Sequence, residues 1–200
     1  MSREIEYEKR VLINEDQYQK ILHFFLDKYP DNRCFKQTNH YFDTPSFDFK
    51  SKGIVFRLRK SVKKPAELTL KIKGSNGDLE INQNLTSKEE ICLFNEKTIP
   101  EGEIKDYLWK RGLLFSSLNL VGALETCRME AKINDYFIVV DKNIYFDICD
   151  YNLEIEAASI KRAESIILEL CDFFGLEYKK DYSSKSSRLF KYWFCEIKCV

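Results

Sequence analysis

The sequence predicts an α+β fold with a mainly antiparallel sheet. Many short segments alternate polar and apolar residues at every second position, which is typical of half-buried strands. A few longer segments carry apolar residues at helical spacing and are bounded by capping residues. No internal repeat, low-complexity block or linker interrupts the chain, so the sequence predicts one domain over residues 1–200.

The opening segment, residues 3–11, is the first predicted strand. Its charged residues stand at every second position: Glu4, Glu6, Glu8 and Arg10. Mostly apolar residues lie between them, and period-two alternation places the two sets on opposite faces of a strand. The charged set could meet water, as in many antiparallel sheets, or it could bind ions.

The predicted helices cover residues 14–30, 86–97, 99–113 and 159–176. Asn14 is a natural N-cap for the first of them. Ser87 and Glu90 have the spacing of a capping box at the start of the second. Ser159 caps the last helix and Gly175 ends it. The apolar stripes of these helices are explained by packing against the sheet.

The other predicted strands lie in residues 39–53, 54–62, 66–74, 78–85, 122–133, 136–143 and 151–158. Four of these strands repeat the division of the first one into a charged face and an apolar face. Their polar residues at alternate positions are Arg57 and Arg59; Thr69, Lys71 and Lys73; Arg128, Glu130 and Lys132; and Glu154 and Glu156.

The whole-chain charge excludes some classes of function. Lys+Arg and Asp+Glu both count 32, so the net charge is zero. A general nucleic-acid-binding surface or a binder of acidic membranes would carry a basic excess, so we expect neither a nucleic acid nor a membrane as a partner. The longest apolar runs are far shorter than a membrane span, and no signal peptide is apparent.

The cysteines indicate the cellular compartment. The seven residues are scattered and form no CxxC pair or spaced Cys/His set: Cys34, Cys92, Cys127, Cys149, Cys171, Cys195 and Cys199. An odd, scattered set without an export signal is typical of reduced thiols in the cytoplasm, and it disfavours a structural zinc site.

The charged faces are sorted by sign. The first strand and residues 153–156 supply carboxylates, whereas residues 56–59 and 70–73 supply only cations. Solvated faces would mix the signs, because opposite charges across strands favour solubility. Carboxylates at alternate positions are hard oxygen ligands for Mg²⁺ or Mn²⁺, and several Arg and Lys residues suit a polyanion such as a phosphate chain.

The pattern alone leaves two interpretations open. The charged faces could be solvated, or they could line the inside of a closed barrel whose apolar face lies under the helices. Burying so many charges costs several kcal/mol per ion unless each is paired, so the second arrangement would be kept only for function.

At these residues the sequence resembles the CYTH domain, or triphosphate tunnel metalloenzyme, family. The family motif E-x-E-x-K is matched by "EYEKR", residues 6–10, with Arg10 in place of the lysine. The resemblance continues in order along nearly the whole chain, through "YFDTP", "FRLRK", "LTLKIKG", "LE" at Glu80, "CRMEAK", "VVDK", "YNLEIE" and "SKSSR". The short motif alone is not specific, but the ordered set is, and it is most similar to the compact Gram-positive bacterial branch.

The resemblance implies an eight-stranded antiparallel β-barrel that forms a tunnel with flanking helices. It also implies hydrolysis of a triphosphate with Mg²⁺ or Mn²⁺. Ile5 and Tyr7 would then lie on the outer face covered by helices, and Lys9 would point to the face opposite Arg10.

The resemblance also implies roles for individual residues. The metal ligands would be Glu6, Glu8, Asp141, Glu154 and Glu156. The phosphate-binding residues would be Arg57, Arg59, Lys71 and Arg128. The catalytic cations would be Arg10, in the place of the motif lysine, and Lys185 of "SKSSR". Arg10 keeps the charge of lysine but changes its geometry, which puts rate or substrate choice in question.

Several functions compete on this basis. Inorganic triphosphate is the first expected substrate, with nucleoside or thiamine triphosphate as alternatives. A class IV adenylyl cyclase shares the fold and motif, and a non-catalytic polyphosphate or nucleotide sensor is a third hypothesis. His23 and His40 show no partner that suggests a catalytic dyad, and Asp43 in "DTP" is explained by an Asx turn.

Overall fold

The α+β fold class is confirmed by the structure, a computed structural model that describes residues 2–62, 64–113, 117–179 and 183–197. Nine strands lie within these residues: β1 Ser2–Glu6, β2 Glu8–Ile13, β3 Arg33–Asp43, β4 Ile54–Ser61, β5 Ala66–Ile72, β6 Asp78–Leu85, β7 Asn119–Ile133, β8 Tyr136–Tyr145 and β9 Ile148–Glu156. The helices are α1 Glu15–Lys28, α2 Asp48–Ser51, α3 Ser87–Asn95, α4 Glu103–Trp109, α5 Ile160–Phe174 and α6 Lys185–Tyr192, and a π-helical turn, Trp193–Ile197, follows α6.

The predicted first strand is divided into β1 and β2 at Tyr7. The hydrogen-bonded order of the strands is β1-β6-β5-β4-β3-β7-β8-β9-β2, so the chain changes its partner strand at this residue. The eight strand segments that the sequence predicts therefore appear as nine strands. The backbone carbonyl of Tyr7 accepts a hydrogen bond of 3.0 Å from the amide of Ala157, just beyond β9.

The chain divides into two compact units, which are described separately. Unit 1 comprises Met1–Ile5, Thr38–Ala123 and Lys185–Val200, and unit 2 comprises Glu6–Gln37 and Leu124–Ser184. The strands β3 and β7 contribute residues to both units. A single domain over residues 1–200 stays a prediction.

Unit 2 packs α1 and α5 against one face of its strands. Antiparallel pairing joins β7 to β8, β8 to β9 and β9 to β2. The apolar residues at alternate strand positions form its core with the inner stripes of the two helices: Val11, Met129, Val140, Leu153 and Ile155 with Ile21, Phe25, Ile166 and Ile167. Lys9 lies on this helix-facing side, as predicted, and its Nζ is 3.5 Å from Oε1 of Glu164 on α5.

Unit 1 has a core of its own. The strand β5 pairs antiparallel with β4 and with β6, and α3 and α4 pack onto one side. The residues of this core include Phe56, Leu58, Leu68, Leu70, Ile81, Leu93, Ile104 and Leu108. One prediction is wrong here: the side chain of Ile5 at the end of β1 is 48% exposed and is not covered by a helix.

The predicted caps of α1 and α5 are confirmed, the capping box of α3 is displaced, and α4 is shorter than the predicted segment 99–113. Asn14 caps α1 in a capping box with Gln17, and Ser159 caps α5, which ends at Gly175 with φ +67°. The capping box of α3 is formed by Thr86 and Glu89, one residue earlier than the predicted pair. Thr86 and Glu89 have the same spacing as the predicted pair Ser87 and Glu90. Thr86 is the cap because its backbone is still extended, directly after β6, as an N-cap residue requires.

Two helices lie outside the segments that the sequence predicts as helical. The single turn of α2 depends on Asp43, a buried side chain whose carboxylate accepts hydrogen bonds from the amides of Thr44, Phe49 and Lys50. This confirms a structural role for Asp43 near the turn. The helix α6 begins at Lys185, in a segment for which the sequence predicts no helix.

None of the helices in the described part of the chain is long and apolar enough to cross a membrane. The described cysteines, Cys34, Cys92, Cys127, Cys149, Cys171 and Cys195, are all free thiols. Cys199 lies outside the described residues.

Candidate ion-binding site

The strands of unit 2 present a charged face on the side opposite its core. The register places Glu8 opposite Glu156, Arg10 opposite Glu154 and Arg128 opposite Asp141. Because alternate residues of a strand point to opposite faces, the apolar residues between them enter the core and leave these six side chains together. Seven of the predicted site residues lie in this unit: Glu6, Glu8, Arg10, Arg128, Asp141, Glu154 and Glu156.

Three carboxylates of this face form an acidic cluster. One oxygen from each of Glu6, Glu8 and Glu156 lies within 4.8 Å of the other two, and all three residues are half-buried. Burial raises the pKa of Glu156 to about 7; the charge of Arg128 opposes this shift, and the neighbouring carboxylates of Glu6 and Glu154 increase it. Burial and the neighbouring carboxylates therefore both make Glu156 harder to ionise than an exposed glutamate.

The cluster fits a hard divalent cation. Carboxylate oxygens are the ligands that Mg²⁺ and Mn²⁺ prefer, and these three are near enough for their side chains to converge on one ion. Their partial exposure also leaves the cluster accessible from solvent.

The guanidinium of Arg128 is fixed by carboxylates. Its Nε and Nη2 donate hydrogen bonds of 2.9 and 2.8 Å to the two oxygens of Asp141, and Nη2 also donates one of 3.3 Å to Glu154. Its Nη1 lies 3.9 Å from Oε1 of Glu156 in the acidic cluster. Burial lowers the pKa of Arg128, but the charges of Asp141 and Glu154 outweigh burial, so the net pKa is raised and the side chain stays a cation.

Arg10 occupies the position of the motif lysine and is also buried. It forms an ion pair with Glu8, and its Nε lies 3.0 Å from Oε1 of Glu154 without the alignment of a hydrogen bond. Arg10 therefore borders the acidic cluster on one side, through Glu8, and the Arg128 network on the other, through Glu154.

The five predicted metal ligands are not equivalent in the structure. Glu6, Glu8 and Glu156 form the acidic cluster, whereas Glu154 and Asp141 are engaged with arginines and are almost inaccessible to solvent. A ligand role for Glu154 and Asp141 stays a prediction.

Unit 1 contains the predicted phosphate-binding cations of β4 and β5. Nη2 of Arg57 lies 3.4 Å from Oε1 of Glu80, and Nζ of Lys71 lies 3.6 Å from the same oxygen and 3.4 Å from Asp78. Nε of Arg59 donates a hydrogen bond of 3.1 Å to Asn39. Lys185 is half-buried at the start of α6.

Glu80 is the important residue of unit 1 to which the sequence assigned no role. Its carboxylate joins Arg57 to Lys71, and it is only 5% exposed. The sequence carried only part of the signal, the alternation of Asp78, Glu80 and Asn82 along β6. The partner Lys71 follows from the register of β5 against β6, which the structure supplies.

The contacts of the two histidines do not make a catalytic dyad within the described ranges. Nδ1 of His23 lies 2.7 Å from the carbonyl of Gln19 on the same helix. The His40 ring packs edge-on against Phe94, at 5.1 Å between centroids, on the side of unit 1 that faces α3.

A comparison with known families decides the classification, because the CYTH domain matches residues 4–187. The chain belongs to the CYTH family.

Among individual CYTH relatives, the candidate triphosphatase YjbK of Bacillus subtilis (strain 168) is 31% identical over 180 residues, which cover 90% of this chain and 92% of YjbK. A crystal structure from Bacillus halodurans, described as a candidate adenylate cyclase, has a TM-score of 0.86 and 28% identity, and the match covers 95% of this chain and all of that one. The Hippeastrum protein HpAC1, described as a candidate adenylyl cyclase with a dominant triphosphatase activity, has a TM-score of 0.71 at 19% identity, with 94% and 95% of the two chains covered. These likenesses confirm the CYTH triphosphate tunnel fold.

Proposed function

We propose that this CYTH protein hydrolyses a phosphoanhydride bond of a triphosphate with Mg²⁺ or Mn²⁺, and that inorganic tripolyphosphate is its first substrate. The observation that carries the proposal is the charged face of unit 2. An acidic cluster suited to a divalent cation lies next to Arg128, a buried guanidinium held by two other carboxylates. Hydrolysis of a phosphate chain requires both kinds of group.

The proposed roles follow from the contacts. Glu6, Glu8 and Glu156 hold the cation, which when bound neutralises charge on phosphate oxygens and makes a water more acidic. Arg128 donates to a phosphate oxygen from an orientation that Asp141 and Glu154 have already fixed, so little reorganisation is needed as charge develops. Arg10, ion-paired with Glu8, holds that ligand in place and supplies a second cation.

The remaining assignments rest on motif position in the sequence. We include Arg57, Arg59 and Lys71 as phosphate-binding residues, and Lys185 as a catalytic cation. Glu154 and Asp141 remain proposed ligands in addition to their contacts with arginines. A cytoplasmic location is also part of the proposal and rests on the cysteine pattern.

The relatives support the reaction class. YjbK, which is described as a candidate triphosphatase, aligns with this chain over 92% of its own length. The description of HpAC1 also attributes triphosphatase activity to that protein.

The test is orthophosphate release from tripolyphosphate, ATP and thiamine triphosphate, each with Mg²⁺ and with Mn²⁺. We expect turnover of tripolyphosphate that disappears with a chelator, and a loss of about a hundredfold or more in Glu8→Gln, because an essential charged ligand is neutralised. The matched control is Glu164→Gln, which removes a paired glutamate on the opposite side of β2 and should keep the activity of the parent. Full activity in a folded Glu8→Gln protein would overturn the metal assignment.

The same assay separates two other functions. The description of the Bacillus halodurans structure makes an adenylyl cyclase the second candidate, and release of cyclic AMP and pyrophosphate from ATP would favour it. Tight binding of tripolyphosphate without turnover, with either metal, would favour a sensor.

A further inference from the structure

A loop of unit 1 packs one aromatic ring onto the C-terminal segment. Phe47, just before α2, lies with its ring centroid 6.2 Å from that of Phe190 on α6. It lies 5.0 Å from Trp193 and 4.6 Å from Phe194, both in the π-helical turn that follows. We call these four aromatic residues the aromatic clasp. All of them belong to unit 1.

The backbone that carries Phe47 is strained and firmly held. Phe47 has φ +57° and ψ +41°, a left-handed conformation that costs a residue with a Cβ roughly 1–2 kcal/mol. Its amide donates a hydrogen bond of 3.0 Å to the carbonyl of Thr44, and its carbonyl accepts one of 3.0 Å from Ser51. The Asp43 carboxylate fixes the same loop through three amides, at 2.8 to 3.0 Å. A strained backbone conformation of this kind persists only where surrounding contacts hold the residue in it.

A second contact joins the same loop to the same segment. Nζ of Lys50, in α2, lies 4.3 Å from the ring centroid of Phe194. A cation at this distance from an aromatic face is attracted to it. The loop anchored by Asp43 therefore contacts the C-terminal segment through the ring of Phe47 and the ammonium group of Lys50.

The C-terminal helix needs such contacts to stay in place. With eight residues, α6 is too short to be stable alone, so packing must set its position. Its buried residues are Ser186, Leu189 and Phe190, and the aromatic clasp begins at the last of them. Lys185 stands at the opposite end of this helix, about 12 Å along its axis from Trp193.

We propose that Phe47 is a positioning residue: the aromatic clasp holds α6 so that Lys185 is presented in one fixed place. The inference rests on the proposed function, which gives Lys185 its catalytic role. It assigns a purpose to the left-handed backbone at Phe47 and to the Asp43 anchor.

The first test measures the position of α6 without using activity. Hydrogen exchange is followed at the backbone amides of residues 186–194 in the full chain, for the parent, Phe47→Ala, Phe47→Trp and Phe146→Ala. Phe146 is the matched control, because it is a phenylalanine of unit 2 with a similar left-handed backbone, φ +50°. Phe47→Ala should speed this exchange by about tenfold or more, since several ring contacts are lost, while Phe47→Trp and Phe146→Ala keep the rate of the parent.

Parental exchange rates in Phe47→Ala would overturn the aromatic clasp. Far-UV circular dichroism of each variant shows whether the fold is retained. If Phe47→Ala does not fold, Lys50→Ala takes its place, because that substitution removes the contact with Phe194 and leaves the loop anchor intact.

The second test asks whether Phe47 acts through Lys185. The kcat and KM for tripolyphosphate are measured for Phe47→Ala, Lys185→Ala and the double variant. If Phe47 only positions Lys185, the double variant has the activity of Lys185→Ala to within about twofold, because the coupling is complete. If the activity losses of the two single variants multiply in the double variant, the positioning role is overturned.

The two tests separate failure of this inference from failure of the proposed function. Unchanged activity in Lys185→Ala would remove the catalytic role of Lys185, and with it the positioning role of Phe47. The exchange rates would still report whether the aromatic clasp holds α6.

Discussion

The Arg128 side chain shows how a charged residue is kept in a water-poor position. Its guanidinium makes bidentate hydrogen bonds to Asp141 and a third to Glu154. A buried ion pair of this kind adds little net stability, because desolvation opposes the Coulombic attraction, but it fixes geometry. The gain is a donor with one orientation, which suits a group that must meet an anion in a defined place.

His40 shows how burial makes stability depend on pH. Burial lowers its pKa from the ordinary 6.5, and the nearby charge of Lys60 lowers it further, opposed by Glu90. The folded chain therefore binds this proton more weakly than the unfolded chain does. The stability that the neutral ring contributes is present above pH 6.5 and is lost as the pH falls toward the folded-state pKa.

We expect His40→Asn to reduce the loss of stability between about pH 7 and about pH 5, because the buried titrating group is gone. The measurement is urea unfolding at several pH values, followed by circular dichroism. His23→Asn, at an exposed histidine of α1, is the control and should keep the pH dependence of the parent. Equal pH dependence in His40→Asn and the parent would contradict the assignment.

At the start of the element α3, two neighbouring hydroxyl residues, Thr86 and Ser87, can be compared as helix caps. Thr86 accepts a hydrogen bond from the amide of Glu89, and the Glu89 carboxylate accepts from the Thr86 amide in return. Ser87, one residue later, is exposed in the first turn.

Thr86→Ala should lower the free energy of unfolding by about 1 kcal/mol, because a helix amide and its reciprocal partner lose the cap. Ser87→Ala should change it by less than about 0.5 kcal/mol. Urea unfolding of the two variants gives both values. If Ser87→Ala lowers the free energy of unfolding more than Thr86→Ala does, the cap of α3 is Ser87, as the sequence predicted.

The elements differ in how far the sequence could predict them. Strand faces were predictable because alternation is local, and each strand that carries the acidic cluster showed it. Ile5 was assigned to the wrong environment because alternation gives a face but not what covers it. The helices α2 and α6 were missed because they depend on Asp43 and on aromatic contacts between distant parts of the chain.

The residues of the candidate site follow the same rule. Their types and faces were local properties, so the charged faces could be predicted from the pattern. The five proposed ligands, Glu6, Glu8, Asp141, Glu154 and Glu156, came from the family resemblance, and the structure places Glu6, Glu8 and Glu156 in one cluster. The pairing of Arg128 with Asp141 depends on the register of β7 against β8, which no single segment encodes. The same is true of Glu80, whose two cations lie on different strands.

At the scale of the whole molecule, each of the two units has a hydrophobic core among its described residues. Leu70 in unit 1 and Leu153 in unit 2 are completely buried, whereas Leu168 on α5 is 44% exposed. The three leucines allow one substitution to be compared in three environments.

Leu70→Ala and Leu153→Ala should each lower the free energy of unfolding by about 2–5 kcal/mol, through lost burial and the cavity left behind. Leu168→Ala should lower it by less than about 1 kcal/mol, since little burial is lost. The midpoints of urea unfolding report the order. A tolerated alanine at Leu70 or Leu153 would mean that the corresponding core can collapse around the gap.

The alternation along β9 makes the length of that strand critical. Leu153 and Ile155 enter the core, while Glu154 and Glu156 lie on the charged face, where Glu154 pairs with Arg128 and Glu156 belongs to the acidic cluster. Deleting or inserting one residue within the strand would exchange these sets, sending carboxylates into the core and leucine into the charged face. Insertions and deletions should therefore be tolerated only in the turns, as at residues 134–135 and 146–147. The positions where a change of length abolishes folding would then mark the limits of the charged face more clearly than single substitutions do.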